Sequence, residues 1–142
     1  MKKFITAIML FLMLRGMSLA QSHSQSPPLF VIHGPTILAF FYPMTQADAE
    51  SGEGDAEALN DFDFYAEKVQ SRLKQAGVDF HEVDARSFRI RTGGRVRTFR
   101  TGQVGIGYYF ISPGREPHVE RGVMTDLDML AVARKYFGAA MR

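Results

Sequence analysis

Six arginines (Arg86, Arg89, Arg91, Arg95, Arg97 and Arg100) stand in one short stretch of this chain with no acid among them. Guanidinium groups hold carboxylates and phosphates through paired N–H donors, so such a run suits an anionic ligand. In RSFRIRTGGRVRTFRT, apolar residues alternate with arginines on either side of Thr92-Gly93-Gly94, which predicts a β-hairpin with a glycine turn. Arg89, Arg91, Arg95 and Arg97 are the anion-binding candidates. A phosphorylated surface, an acidic glycan or an acidic protein would match them. The plainer alternative is a solvated hairpin that pairs with the chain's own acids. Eight acids and no Lys or Arg lie between Asp48 and Glu67.

The other reactive side chains are sparse. The chain has no cysteine, which excludes disulfides, zinc–thiolate sites, thiol catalysis and lipidation at sulfur. Its four histidines, His23, His33, His81 and His118, are far apart and form neither an HxH nor an HxxxH pair, so no metal is expected. Gly93-Gly94 and Gly105-x-Gly107 match neither the phosphate-loop nor the dinucleotide spacing, and no cofactor is expected. Tyr42, Thr45 and Asp48 would place two hydroxyls and a carboxylate in one loop. A Thr–Asp pair with no histidine between them is a poor nucleophile–base set. An enzyme with a non-thiol mechanism at Tyr42–Asp48 is therefore an alternative without an assigned catalytic residue.

Several elements must position these groups. Met1-Lys2-Lys3, the apolar run Phe4–Leu14 and Ser18-Leu19-Ala20 have the layout of a secretory signal peptide over residues 1–20, cleaved before Gln21. The apolar run is too short for a spanning helix, which needs about 20 residues. Export to a periplasm or the outside is the expectation, with no stable membrane insertion after cleavage. Removal of Lys2, Lys3 and Arg15 would leave 14 basic against 15 acidic side chains, so the basic character of the full chain is weak support for nucleic-acid binding and none is expected. Residues 21–28 (QSHSQSPP) read as a flexible segment, and 29–142 as one domain.

Within that domain Leu29–Ile32 reads as a short buried strand and Thr36–Tyr42 as a second, continuously apolar one, which suits a strand covered on both faces. Leu59, Phe62, Ala66, Val69, Leu73 and Ala76 recur at helical steps and predict a helix over Ala56–Ala76, closed by Gly77. Val78–Val83 alternates as a strand. Gly105–Ile111 and His118–Val123 are strands joined by the Ser112-Pro113-Gly114-Arg115 turn, and Thr125 caps a last helix over Asp126–Phe137. Alternation puts Tyr108 and Phe110 on one face and Tyr109 on the other, with an exposed tyrosine beside Gly107 as a plausible contact residue. The economical architecture is a mixed sheet with helices packed on it.

This order resembles the thioredoxin fold. Ile37-Leu38-Ala39-Phe40-Phe41-Tyr42-Pro43 resembles the central strand that leads into the thioredoxin active-site loop. Gly105-Ile106-Gly107-Tyr108 resembles the segment that carries the family's cis-proline, and Tyr108–Phe137 its closing ββα unit. The resemblance covers residues 29 to 138 and rests on element order. It implies an α/β protein with a thioredoxin-like mixed β-sheet flanked by helices, into which the Arg-rich β-hairpin is inserted. It also places the CxxC motif on Thr45-Gln46-Ala47-Asp48 and the cis-proline at Gly107. Both sulfur positions are lost, so thiol–disulfide exchange is excluded. The implied function is a non-redox domain that binds a protein or peptide in the cell envelope, with Tyr42, Thr45, Asp48, Gly107 and Tyr108 as partner-binding candidates.

Overall fold

A computed structural model of the protein describes residues 26–41, 55–85, 87–100 and 106–141. The expected signal segment and the Tyr42–Asp48 loop lie outside the described residues. The elements are β1 (Leu29–Val31), β2 (Thr36–Phe41), α1 (Asp55–Gln75), β3 (Asp79–Asp84), β4 (Ser87–Thr92), β5 (Arg95–Arg100), β6 (Ile106–Ile111), β7 (His118–Arg121) and α2 (Asp126–Phe137), followed by a short 3-10 turn at Gly138–Ala140. The architecture is mixed α/β. Among the described residues no helix is long and apolar enough to cross a membrane.

The strands form two sheets, not one. Four are ordered β3-β2-β6-β7 and three are ordered β1-β4-β5. β2 and β3 run parallel across the α1 crossover, while β6 is antiparallel to both β2 and β7. β1 pairs parallel with β4, and β4 antiparallel with β5. Gly93 and Gly94 join these last two strands with φ of 52° and 84°, in the left-handed region that other residues avoid.

Side-chain alternation decides which layer each face meets. From β2 and β6, Ile37, Ala39, Tyr108 and Phe110 face the helices and pack on Phe62, Val69 and Leu73 of α1 and Met129, Ala133 and Phe137 of α2. Leu38, Phe40, Tyr109 and Ile111 face the other way and pack on Phe88 and Ile90 of β4. The layers are therefore helices, four-stranded sheet, three-stranded sheet. This corrects the expectation of a sheet with helices on both sides. β2 is buried along almost its whole length and needs cover on both faces. Both helices lie on one face, so the second sheet covers the other. The same arrangement corrects β1. It was expected to be buried, but Val31 is 48% exposed, because the far face of the three-stranded sheet is bare.

Local sequence closes each helix. Val78 N–H reaches Leu73 O at 2.9 Å and Gly77 N–H reaches Lys74 O at 3.1 Å. With Gly77 at φ 73° this is a Schellman end, and the flanking apolar pair Leu73 and Val78 enters the core. Thr125 caps α2 by accepting the Asp128 N–H at 3.2 Å. Asp126, buried in the first turn of α2, sits 3.4 Å from Lys68 Nζ and 3.5 Å from Arg72 Nη1 of α1. That pairing compensates a carboxylate that would otherwise be costly to bury.

Gly107 lies at a close approach within the sheet. A Cβ there would stand 2.6 Å from the Glu120 carbonyl oxygen and 2.6 Å from Phe40 Cζ. Neither the backbone of β7 nor a buried ring can give way freely. Gly107→Ala is expected to lower stability by about 1–3 kcal/mol, the usual range for overpacking a dense core. Urea unfolding checks it, and an unchanged midpoint would contradict the packing described here.

Candidate functional site

The outer face of the three-stranded sheet is built by alternation from three strands. Phe88 and Ile90 point into the core, so Ser87, Arg89 and Arg91 of β4 point out. Residues directly opposite in paired strands share a face. The register sets Leu29 beside Arg89 and Val31 beside Arg91. Across the other ladder it sets Arg91 beside Val96, Arg89 beside Thr98 and Ser87 beside Arg100. One row across the sheet thus reads Val31–Arg91–Val96, with the two valines 48% and 47% exposed. No acid occurs in any of these three strands.

This geometry divides the four arginine candidates. Arg89 and Arg91 lie on the outer face. Arg89 is anchored, its Nε donating to Pro27 O at 3.2 Å and its backbone N–H to Pro28 O at 2.7 Å. Arg95 and Arg97 share the face of Phe88 and Ile90, beyond the edge of the core. Arg97 grips Glu116, in the turn between β6 and β7, through two contacts of 3.0 and 2.9 Å. Its guanidinium also lies 5.2 Å from the Phe99 ring. The four candidates therefore do not share one face. The signal was present in the sequence, since positions of the same parity on either side of a two-residue turn fall on opposite faces.

The tyrosines beside Gly107 are covered. Tyr108 is fully buried, stacked on Phe62 with ring centroids 5.8 Å apart, and its hydroxyl accepts the Met124 N–H at 3.3 Å. Burial pushes its phenol above the ordinary range, and the Met124 bond opposes that rise. Tyr109 sits among Phe40, Phe88 and Phe99 and donates to Arg100 O at 3.3 Å. Gly107 is buried too. The expected exposed contact tyrosine is absent here, because both faces of β6 are occupied. The remaining partner candidates, Tyr42, Thr45 and Asp48, lie outside the described residues.

One cluster went unread in the sequence. His118 and Glu120, two apart on β7, share a face, with Nε2 and Oε1 2.7 Å apart. The imidazole stacks on Tyr136 at 6.0 Å, and the Arg115 guanidinium lies 4.5 Å from the same ring. Desolvation raises the Tyr136 phenol, against the lowering pull of Arg115. The HxE spacing was the available signal. No hydroxyl nucleophile bonds to His118 among the described residues, so the pair lacks the third member of a hydrolytic triad. His81 is an exposed neighbour of Phe30, at 5.7 Å. Among the described residues no three His, Asp or Glu side chains are placed to hold a metal ion.

Comparison of the chain with protein-family models, with curated proteins and with solved structures finds no match.

Glu82 on β3 offers a titration test of the acidic flank. Partial desolvation, then the nearby Asp63 carboxylate, raise its pKa above the ordinary value of 4.5. An acid whose folded pKa is raised favours the fold while protonated. That contribution is complete below 4.5 and is lost as pH rises through the raised value. Glu82→Gln is expected to be more stable than the parent at neutral pH, with the gap closing below about pH 4.5. Thermal unfolding across pH checks this; a gap that widens in acid would contradict it.

Proposed function

We propose that this protein is an exported, non-redox binding module of thioredoxin-like topology that holds an acidic polypeptide segment against the outer face of the β1–β4–β5 sheet. Support for the topology comes from the order β2–α1–β3 then β6–β7–α2, with strands arranged β3-β2-β6-β7. A parallel βαβ half and an antiparallel ββα half side by side are the two parts of that fold. Support for export is the pattern of residues 1–20. The absence of cysteine leaves no thiol for the family's redox chemistry.

The observation that carries the ligand class is the row Val31–Arg91–Val96, flanked by Arg89 and Arg100, on a face without acids. Half-exposed valines offer apolar contact, and the guanidinium groups offer bidentate carboxylate binding. Among the described residues no carboxylate pairs with Arg89, Arg91 or Arg100. A segment that turns acidic and apolar side chains toward the same face satisfies both features. A compact anion would meet only part of the arginine set, because Arg95 and Arg97 lie on the other face and Arg97 is held by Glu116. The polypeptide reading is therefore favoured over a small-anion site.

Fluorescence anisotropy with a labelled peptide that carries Glu and Val in turn at every second position tests the proposal. Binding is expected to weaken about tenfold or more in the Arg89→Gln/Arg91→Gln double variant, since each charge-assisted contact is worth on the order of 1–2 kcal/mol. Lys74→Gln, on the exposed side of α1, serves as the control and is expected to bind as the parent does. Equal affinity of the double variant and the parent would contradict the proposal.

A further inference from the structure

β3 ends the four-stranded sheet and keeps one side of its backbone open. Asp79 N–H donates to Pro35 O at 2.9 Å, and the parallel register turns the N–H and C=O groups of Asp79, His81 and Val83 toward β2. Those of Phe80, Glu82 and Asp84 point away from the sheet. Among the described residues no backbone hydrogen bond reaches them. Six residues of edge without proline, DFHEVD, are a template for another strand.

Space for that strand exists on both sides of the edge. A groove of about 470 Å³ runs beside residues 82–85 and is walled by Pro27, Pro28 and Phe30. A second, of about 460 Å³, lies between residues 79–81 and Glu67, Gln70 and Lys74 of α1. The side chains of an added strand leave it alternately toward one layer and the other. Residues set opposite Glu82 and Asp84 share their face, which is the α1 face, since Gln70 lies 3.4 Å from Glu82. Residues set opposite His81 and Val83 turn toward Phe30, whose ring lies 5.7 Å from that of His81.

Charge decides what fits. Glu82 and Asp84 share the α1 face of this edge with Asp63, which stands close enough to raise the Glu82 carboxyl, and with Glu67. Among the described residues no cation pairs with any of these four acids. The other groove offers an aromatic ring and two prolines. We propose that β3 takes an extended basic peptide as an added antiparallel strand, with Lys or Arg turned to Glu82 and Asp84 and apolar side chains turned to Phe30. The antiparallel direction sets a peptide residue directly against each open N–H and C=O pair, in the stronger of the two ladders. A second copy fits less well, because the centred pairing of two β3 strands sets Glu82 against Glu82. This edge is separate from the outer face of the β1–β4–β5 sheet and selects the opposite charge.

A short labelled peptide of alternating Lys and Val tests the proposal by fluorescence anisotropy. In the antiparallel pairing its Lys N–H groups point at β3 and its Val N–H groups at solvent. N-methylation of the Lys residues is expected to weaken binding about tenfold or more, and N-methylation of the Val residues less than about twofold. Saturating peptide is expected to slow hydrogen exchange at the Phe80, Glu82 and Asp84 amides. Glu82→Gln/Asp84→Asn is expected to weaken the unmethylated peptide about tenfold. Equal effects of the two methylations, unchanged exchange at those three amides, or an indifferent double variant would overturn the proposal. So would protection of those amides that rises with protein concentration alone, which would assign the edge to a second copy. Arg89→Gln/Arg91→Gln is expected to bind the Lys–Val peptide as the parent does, so failure here is distinguishable from failure of the acidic-peptide site.

Discussion

The arrangement depends on the aromatic contact between the two sheets. Tyr109 of β6 meets Phe88 and Phe99 of the β4–β5 pair with ring centroids 5.2 and 5.3 Å away, and Phe40 of β2 lies 5.2 Å from Tyr109 in the same cluster. β2 and β6 are apolar on both faces and require two covers. α1 and α2 supply one, held together by apolar packing and by the Lys68–Asp126–Arg72 group. Without the second cover, Leu38, Phe40, Tyr109 and Ile111 would face water. Burial of each such side chain is worth on the order of 1.5–3 kcal/mol, so this layer is a main source of stability in a chain that has no disulfide.

That requirement also shapes the charged surface. Because Phe88, Ile90 and Phe99 must turn inward, the residues between them must turn outward, and several of those are arginines. The cationic face is thus tied to the core by strand geometry. Its arginines cannot be moved by one position without exposing Phe88 or Phe99. Arg97 and Glu116 add a polar tie between the β4–β5 pair and the turn of the other sheet, modest in energy because both are exposed. The same constraint explains why Tyr108 and Tyr109 are unavailable to a partner: each lies under one of the two covers.

Much of the local structure was legible in the sequence. The helical stripe from Leu59 to Ala76, the Gly77 stop, the Thr125 cap and the opposite facing of Tyr108 and Tyr109 follow from periodicity and capping chemistry, which act over a few residues. The parallel β2–β3 step and the antiparallel β6–β7 pair follow from connection length. The second sheet was not legible. Leu29–Val31 and Ser87–Thr92 lie far apart in sequence, and nothing local says that they pair in parallel. The division of the arginines was legible from alternation across the Gly93-Gly94 turn, but which of the two faces is inner was not. Alternation separates Arg89 from Ile90, but which side is inner depends on a layer that long-range packing supplies. The loop expected to form the reactive corner, Tyr42 to Asp48, lies outside the described residues.

The central claim is that the β4–β5 pair closes over Tyr109. Nuclear Overhauser contacts between ring protons in isotope-labelled protein test it most directly. The expected spectrum shows cross-peaks from Tyr109 to Phe88 and Phe99, whose centroids lie 5.2 and 5.3 Å away, together with slow exchange of the β4 amides. A solvent-exposed Tyr109 ring without contacts to either phenylalanine, and β4 amides exchanging as freely as an open chain, would contradict it.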